Sequence, residues 1–577
     1  MNARQKKKKN NRVFTNRLHG VFVLLIVIAL LLLLNLFHIQ VSKGYSFREQ
    51  ADNQYVVATY NAFERGSIFF KEKDSTLLTA AGLTKGFKIS INPSTYDGDI
   101  DELYAAVKEI TYLDKEAFFR TSNNTSRTYF EIARQVDEET AQSLKETFGR
   151  DIQLHSEKWR SYPFAGAAAH SIGILGYQGD DLEGRYGLER EFEKTLRRKN
   201  TDLYTNFFAR IFHNVKTLVD PNEEPEGDII TTIDPQVQIF LENELKSVQE
   251  KFDSESVGGI IIEPKTGAIK ALGAFPNFDN NDFGDINLGT LRNPLIENVY
   301  EVGSIMKPLI VASAIDTNSI NPKTFSYYDA GSIEVEDYTI KNFDGKGRGY
   351  VDVQEILTNS LNTGMVEIIQ SMPKEKVREA VAKFGFTSKT AIDLPNEGNN
   401  ITSNIASNRD IEFANISFGQ GIAVTPISMV NSLSALANDG VRMKPHLVEK
   451  INYTNGLSTT TEHAELGEAF SKETSDTVTQ MLVNTFDEYR NGAVKFDRHS
   501  VAAKTGTAQI SNPEGGYYED RNLHSFFGYF PAYEPEYLVY LYTVYPKNVR
   551  YASETLIDPF RNTTRFLLNH YGVAPDR

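Results

Sequence analysis

The 577-residue sequence predicts an α+β body, an antiparallel sheet covered by helices, carried behind a mixed α/β segment and one apolar N-terminal helix. Three observations carry this expectation. Strand-like runs stand at both ends of the C-terminal part, a long helical middle separates them, and a single uncharged run near the N-terminus is long enough to cross a bilayer. A chain of this length needs more than one core. Its 40% hydrophobic and 24% charged residues are those of a chain that folds.

The elements follow in order. Residues 1–17 form a basic tail, and the first 37 residues carry seven Lys or Arg and no acid. The net charge of −15 therefore leaves −22 on residues 38–577. So acidic a body repels a polyphosphate backbone, which excludes nucleic acid as an expected partner. Residues 18–37 contain no charge, and about 20 helical residues at ~1.5 Å each match the hydrocarbon thickness of about 30 Å. No small-x-small cleavage site follows in 35–43, so the run is expected to stay as an anchor inserted in the membrane. The basic flank holds the N-terminus in the cytoplasm and exports residues 38–577, a single-pass topology with an extracytoplasmic body. The chain has no cysteine, which excludes disulfides, thiolate catalysis and cysteine-ligated metals. No metal site and no cofactor are expected.

Residues 38–227 mix short strands and helices, with helices expected at 100–109 and 137–148 and no catalytic cluster. The polar run 220–227 reads as a linker, so a second domain is expected over 228–577. There a strand at 228–233 precedes a helix capped by Asp234, with Pro235 at its first position and Val237, Phe240, Leu241, Leu245 and Val248 on one buried face. Residues 258–263 and 268–273 form a hairpin around the turn 264–267. Further strands are expected at 501–510, 525–530 and 537–545, and a closing helix over 553–571 that ends at Gly572.

Glu301-Val-Gly-Ser304-Ile-Met-Lys307-Pro308 is the first segment that carries chemistry. Ser and Lys three apart share one helix face. Pro308 is comfortable only in a first turn, which puts Ser304 at or just before a helix N-terminus, where developing negative charge is favoured. Lys307 can take the serine's proton only if its pKa falls from about 10.4 towards roughly 7–8, through burial and a neighbouring cation. Neither Ser-x-x-Lys nor Lys-Thr-Gly is specific alone. Ser371-Met-Pro-Lys374 reads as a loop and Lys265-Thr-Gly267 as the hairpin turn. Order and spacing decide: Ser360-Leu361-Asn362 follows Ser304 by 56 residues, and Lys504-Thr505-Gly506-Thr507 lies 144 residues beyond, inside an expected strand.

Ser-x-x-Lys, Ser-x-Asn and Lys-Thr-Gly in this order resemble the signature of penicillin-binding proteins and serine β-lactamases. The chain as a whole resembles a class B penicillin-binding protein, a monofunctional peptidoglycan D,D-transpeptidase. Glu64-Arg65-Gly66-Ser67-Ile68 resembles the family's segment after the anchor. Arg160-Ser-Tyr-Pro163, His170 to Gly176 and Gly184-Arg-Tyr-Gly-Leu-Glu189 resemble its pedestal motifs, and Ser417 to Pro426 a segment of its catalytic domain. Val302 stands where the family has proline, and 70–74 depart from its Asp-Arg-Asn-Gly.

The resemblance implies a transpeptidase domain of the penicillin-binding and serine β-lactamase type behind a pedestal that binds partners. It also implies roles. Ser304 attacks the penultimate D-alanine carbonyl of a stem peptide and Lys307 takes its proton. Ser360 relays a proton to the leaving amine, and Asn362 holds the substrate amide. Lys504 is the second cation, Thr505 binds the terminal carboxylate of donor or β-lactam, and Gly506 leaves room for the substrate backbone. The amides of Ser304 and Thr507 form an oxyanion hole. Implied partners are stem peptides on nascent glycan strands, β-lactams, a polytopic glycosyltransferase and other wall-synthesis proteins. A membrane-anchored β-lactamase or β-lactam sensor shares the three motifs, and a water-activating glutamate could be Glu297, Glu301 or Glu355. A non-catalytic scaffold would tolerate motif decay, and none of the motifs has decayed. His170 and His524 lack ligand partners nearby and read as structural, and Trp159 as pedestal core.

Overall fold

The computed structural model describes residues 30–32, 64–179, 181–198, 225–282 and 287–577. Of the apolar run 18–37 only Leu30, Leu31 and Leu32 fall among them, helical and exposed. The rest of that run, and 220–224 of the expected linker, lie outside the described residues. Among the described residues no helix is long and apolar enough to cross a membrane.

The described residues form two compact units, one containing 85–159, the other 64–84 with those from 160 onward. This division differs from a single boundary at Gly227. Strand β1 (Ile68–Lys71) lies parallel to β5 (Gly227–Thr231), with Ile68 opposite Ile229, so residues on both sides of the expected linker share one sheet in the larger unit. Strand β2 (Leu77–Ile91) starts in the larger unit and ends in the smaller.

In the smaller unit the end of β2 pairs with β3 (Phe130–Val136), and β4 (Ile152–Ser161) begins there. Helices α1 (Ile100–Lys108), α2 (Lys115–Ser122) and α3 (Glu138–Phe148) start at Asp99, Asp114 and Asp137, whose carboxylates accept from first-turn amides. The core gathers Ile89, Leu103, Val107, Phe118, Ile132 and Ile152. Trp159 is only half-buried: its ring covers Gly86, where a Cβ would come within 2.8 Å of it.

The larger unit is built on a five-stranded antiparallel sheet. Its strands are β6 (Ser256–Ile262), β7 (Ile269–Phe275), β9 (Ala502–Ser511), β10 (Tyr517–Phe530) and β11 (Tyr537–Val544), in the order β9-β10-β11-β6-β7. A further strand, β8 (Val448–Tyr453), pairs with β5 in the sheet that holds β1. All eight residues of β11 are buried, because both faces of the five-stranded sheet are covered. Val539 and Leu541 face one core with Val237, Leu241 and Leu245 of α4 (Pro235–Phe252) and Phe560 of α8 (Ile557–Tyr571). Tyr540 and Tyr542 face the other, with Leu309, Ile310 and Ala312 of α5 (Lys307–Asp316) and Met365 of α6 (Asn362–Gln370). Strand alternation thus divides the domain into two cores.

Asp234 caps α4 as expected, while Phe240 is only half-buried and stacks on Phe566 at 4.2 Å. Strand β10 begins eight residues earlier than the expected 525, because its first half forms a hairpin with β9 beyond the core. The closing helix is two pieces, 552–555 and α8, with Leu556 between them, and it ends at Gly572 in the left-handed region. Lys265-Thr-Gly267 is the β6–β7 turn, with Gly267 at φ 80°. Ser371 ends α6 and Lys374 starts the next helix, so the second Ser-x-x-Lys is a connection.

The segment 64–68 and two of the pedestal-like motifs, 160–163 and 184–189, meet in one buried charge cluster within the larger unit. Arg65 Nε and Arg160 Nε donate to the two carboxylate oxygens of Glu189, each at 2.6 Å. Tyr162 Oη donates to Glu189 Oε1, and Arg160 Nη1 to the Gly66 carbonyl. Glu189 is fully buried. A Cβ on Gly66 would stand 2.1 Å from the Gly227 carbonyl, which is why this position takes glycine.

Candidate active site

Gly303–Met306 forms a 3₁₀ turn that runs directly into α5, with Lys307 and Pro308 opening that helix. Ser304 therefore stands at the helix entrance, as Pro308 predicts. Gly303 has φ 65°, and a Cβ there would lie 2.7 Å from the Thr507 carbonyl, so the nucleophile turn presses on β9 through a residue without a side chain.

Lys307 is fully buried. Its Nζ donates to the Ser360 carbonyl at 2.6 Å, to Asn362 Oδ1 at 2.8 Å and to Ser360 Oγ at 3.2 Å. Three acceptors suit an ammonium. A neutral amine has two hydrogens and a lone pair, and only Ser360 Oγ among the three partners can reverse and donate to it. Burial, and then the charge of Lys504, hold Lys307 well below the ordinary lysine value. Burial likewise brings Lys504 down to about 7. Lys504 is 1% exposed, and its Nζ donates to the Thr505 carbonyl at 3.0 Å.

Ser360 has φ 54°, a left-handed conformation uncommon for serine, and Leu361 then caps α6 so that Asn362 is its first residue. This turn delivers both the Ser360 carbonyl and the Asn362 side chain to Lys307. Asn362 Nδ2 gives one hydrogen to the Lys341 carbonyl at 3.0 Å and keeps a second for a ligand. Behind it Asp329, 1% exposed, accepts from Asn342 Nδ2, Thr363 Oγ1 and the Arg348 amide, fixing the loop that supplies Lys341.

These segments enclose a cleft of about 740 Å³, lined by Ser304, Ser360, Asn362, Lys504, Thr505 and Thr507 among others. Lys307 and Gly506 stand behind that lining. Gly506 has a different physical reason from the one the sequence suggests. A Cβ there would meet Ser525 Oγ at 2.3 Å and the Val302 carbonyl at 2.8 Å, so its bareness admits the protein's own nucleophile turn rather than substrate. Ser525 Oγ donates to that same carbonyl.

None of Glu297, Glu301 and Glu355 lines the cleft. Glu297 pairs with Arg292, Glu355 completes a capping box with Asp352, and Glu301 accepts from the Gly421 amide and Tyr517 Oη. His170 and His524 are buried, bonded to the Thr290 carbonyl and to Thr555 Oγ1, and burial brings each to about 4. Both lie outside the cleft lining. Tyr489 lines the cleft and touches Thr505, with no motif in the sequence to announce it.

The chain is similar over 77% of its length to Stage V sporulation protein D of Bacillus subtilis, at 29% identity, covering 69% of that protein. It is 24% identical to penicillin-binding protein PbpB of Mycolicibacterium smegmatis over 92% of the chain and 86% of the relative. Its fold is that of penicillin-binding protein 2X from Streptococcus thermophilus, with a TM-score of 0.70 at 22% identity over 89% of this chain and 81% of that one. Residues 62–206 match the penicillin-binding protein dimerisation domain. Residues 257–562, more than half of the chain and the part that encloses the cleft, match the penicillin-binding protein transpeptidase domain, and the chain belongs to that family.

Proposed function

We propose that the chain is an acyl-serine D,D-transpeptidase that cross-links peptidoglycan stem peptides and is blocked by β-lactams acylating Ser304. The observation that carries this reading is that Lys307, one turn from Ser304, is buried and held below its ordinary pKa by burial and by Lys504 of β9. Ser304 Oγ attacks the penultimate D-alanine carbonyl as its proton passes to Lys307 Nζ. The amides of Ser304 and Thr507 hold the oxyanion. The peptide C–N bond breaks, and the departing D-alanine takes its proton by way of Ser360 Oγ, the partner of Lys307 able to donate. Lys504 and Thr505 hold the donor's terminal carboxylate and Asn362 its amide. An amine from a second stem peptide then attacks the ester, forms the cross-link and returns Ser304 to its hydroxyl.

The basic tail 1–17 and the apolar run 18–37 support anchorage in the membrane by one span, with the catalytic body outside. We assign 38–227 to a pedestal that docks a polytopic glycosyltransferase and other wall-synthesis proteins, and 228–577 to the transpeptidase domain. The purified body 38–577 should take up one fluorescent penicillin, mapped by peptide mass to Ser304, and the adduct should persist for tens of minutes. Label that survives Ser304→Ala overturns the nucleophile. Rapid multiple turnover of the β-lactam overturns the transpeptidase in favour of a hydrolase.

A further inference from the structure

Helix α7 (Lys472–Glu488) ends at the cleft, and the next residue, Tyr489, turns its side chain back beneath β9. The two residues after it, Arg490 and Asn491, are both left-handed, at φ 50° and 55°. Arg490 is tied to Asp558 and to the Ser553 carbonyl. A pair of non-glycine residues in this region marks a turn that the surrounding structure over-determines. What the turn secures is the position of Tyr489, whose ring packs edge-on against Phe486.

Among the described residues strand β9 pairs only with β10, which leaves its other edge on the side of Thr505 that faces Tyr489. Both backbone groups of Thr505 on that edge are occupied: the carbonyl accepts from Lys504 Nζ, and the amide donates to Tyr489 Oη at 3.2 Å. Tyr489 Oη also lies 3.4 Å from Thr505 Oγ1. Either hydroxyl can donate in this contact; with the amide hydrogen already on the phenol oxygen, a phenol hydrogen directed at Thr505 Oγ1 satisfies both groups. In that arrangement the threonine hydroxyl accepts from Tyr489, which leaves its own hydrogen free for the cleft that Thr505 lines. Burial pushes the Tyr489 phenol above its ordinary value, so it keeps this proton throughout the neutral range.

We propose that Tyr489 is a positioning residue that aims the Thr505 hydroxyl hydrogen at the carboxylate of the donor stem peptide or the β-lactam. The inference rests on the proposed reading of Thr505 as a carboxylate contact. Without the phenol hydroxyl, the Thr505 amide loses its acceptor and Thr505 Oγ1 rotates freely, so nothing holds its hydrogen on the ligand. The effect belongs to recognition of the anion and leaves the attack of Ser304 alone.

Tyr489→Phe keeps the ring and removes only the hydroxyl. Acylation of 38–577 is followed with a penicillin and with its methyl ester, resolving the binding constant from the acylation rate constant. The expected result is about a tenfold weaker binding constant for the free acid, an acylation rate constant within about twofold, and little change for the ester. Thr505→Val should produce the same selective loss, and the double variant should be no worse than Thr505→Val alone. A selective loss in Thr505→Val with none in Tyr489→Phe overturns the inference and leaves the Thr505 reading standing. No acid-selective loss in Thr505→Val overturns that reading, and the inference with it. An equal loss on acid and ester in Tyr489→Phe, as partial unfolding would give, assigns Tyr489 to packing and also overturns it.

Discussion

Two buried charge clusters in the larger unit are built on opposite principles. At the pedestal motifs Arg65 and Arg160 share Glu189, with every charge close to fully buried and every contact between unlike signs. Burial pulls the Arg65 guanidinium down, but Glu189 and Glu193 more than reverse this and raise it. At the cleft Lys307 and Lys504 are equally buried, their charges are alike, and among the described residues neither has a carboxylate within salt-bridge distance. One cluster keeps its protons and holds chain segments together. The other makes the charged state costly, which is the condition the proposed role of Lys307 as a base requires.

The comparison breaks most visibly at Lys307. Lys307→Met should slow penicillin acylation by about 10²–10⁴-fold in stopped-flow or gel assays, because the proton acceptor is gone. A rate near wild type would remove Lys307 from the mechanism. Glu189→Ala should do the reverse, costing about 3–5 kcal/mol in urea unfolding by stranding the buried Arg160 guanidinium and leaving Arg65 with Glu193 alone, while the folded protein acylates within a few-fold of wild type. Should Glu189→Ala instead abolish acylation in a fully folded sample, the two clusters are not separate in function.

The third test uses pH. Lys307 has a folded value below its unfolded value of about 10.4. Between those values the unfolded chain binds more protons, so this group makes stability rise with pH, by at most about 1.4 kcal/mol per unit. The stability of Lys307→Met relative to wild type should therefore decline as pH climbs from 7 to 9, and a flat difference would deny the depressed value. The Glu189 cluster offers no such slope through its arginines, which stay charged over the same range. The smallest effect sharpens the coupling of the two lysines. Acylation should rise with pH as Lys307 sheds its proton and fall as Lys504 sheds its own at about 7. In Lys504→Met the rising limb should move to higher pH, because Lys307 loses the like charge that depresses it. An unmoved limb would leave burial as the sole cause.

The sequence made the catalytic segments legible wherever chemistry leaves a local mark. Pro308 fixed the helix entrance for Ser304, and the order of three motifs separated Ser360 from its many bland counterparts. Asp234 announced its helix because capping is a local interaction. What stayed hidden depends on distant contacts. Glu189 reaches Arg65 across 124 positions, and Thr505 finds Tyr489 at the end of an amphipathic helix that looks like many others. Gly506 was legible as a necessity, but its cause, the carbonyl of Val302 some two hundred residues earlier, has no signature in the chain. The parallel pairing of β1 with β5, which carries 64–84 into the larger unit, is hidden for the same reason.

The left-handed turn at Ser360 has a consequence for inheritance under antibiotic pressure. Threonine would preserve the hydroxyl, but its branched Cβ is poorly accommodated at φ 54°. Glycine and asparagine suit the backbone and forfeit the hydroxyl. None of these three exchanges keeps both, so under the proposed proton relay at Ser360 none of them offers a lineage an escape from a β-lactam. Heritable change is left to the cleft wall, where side chains can vary without unwinding the turn that presents the Ser360 carbonyl to Lys307.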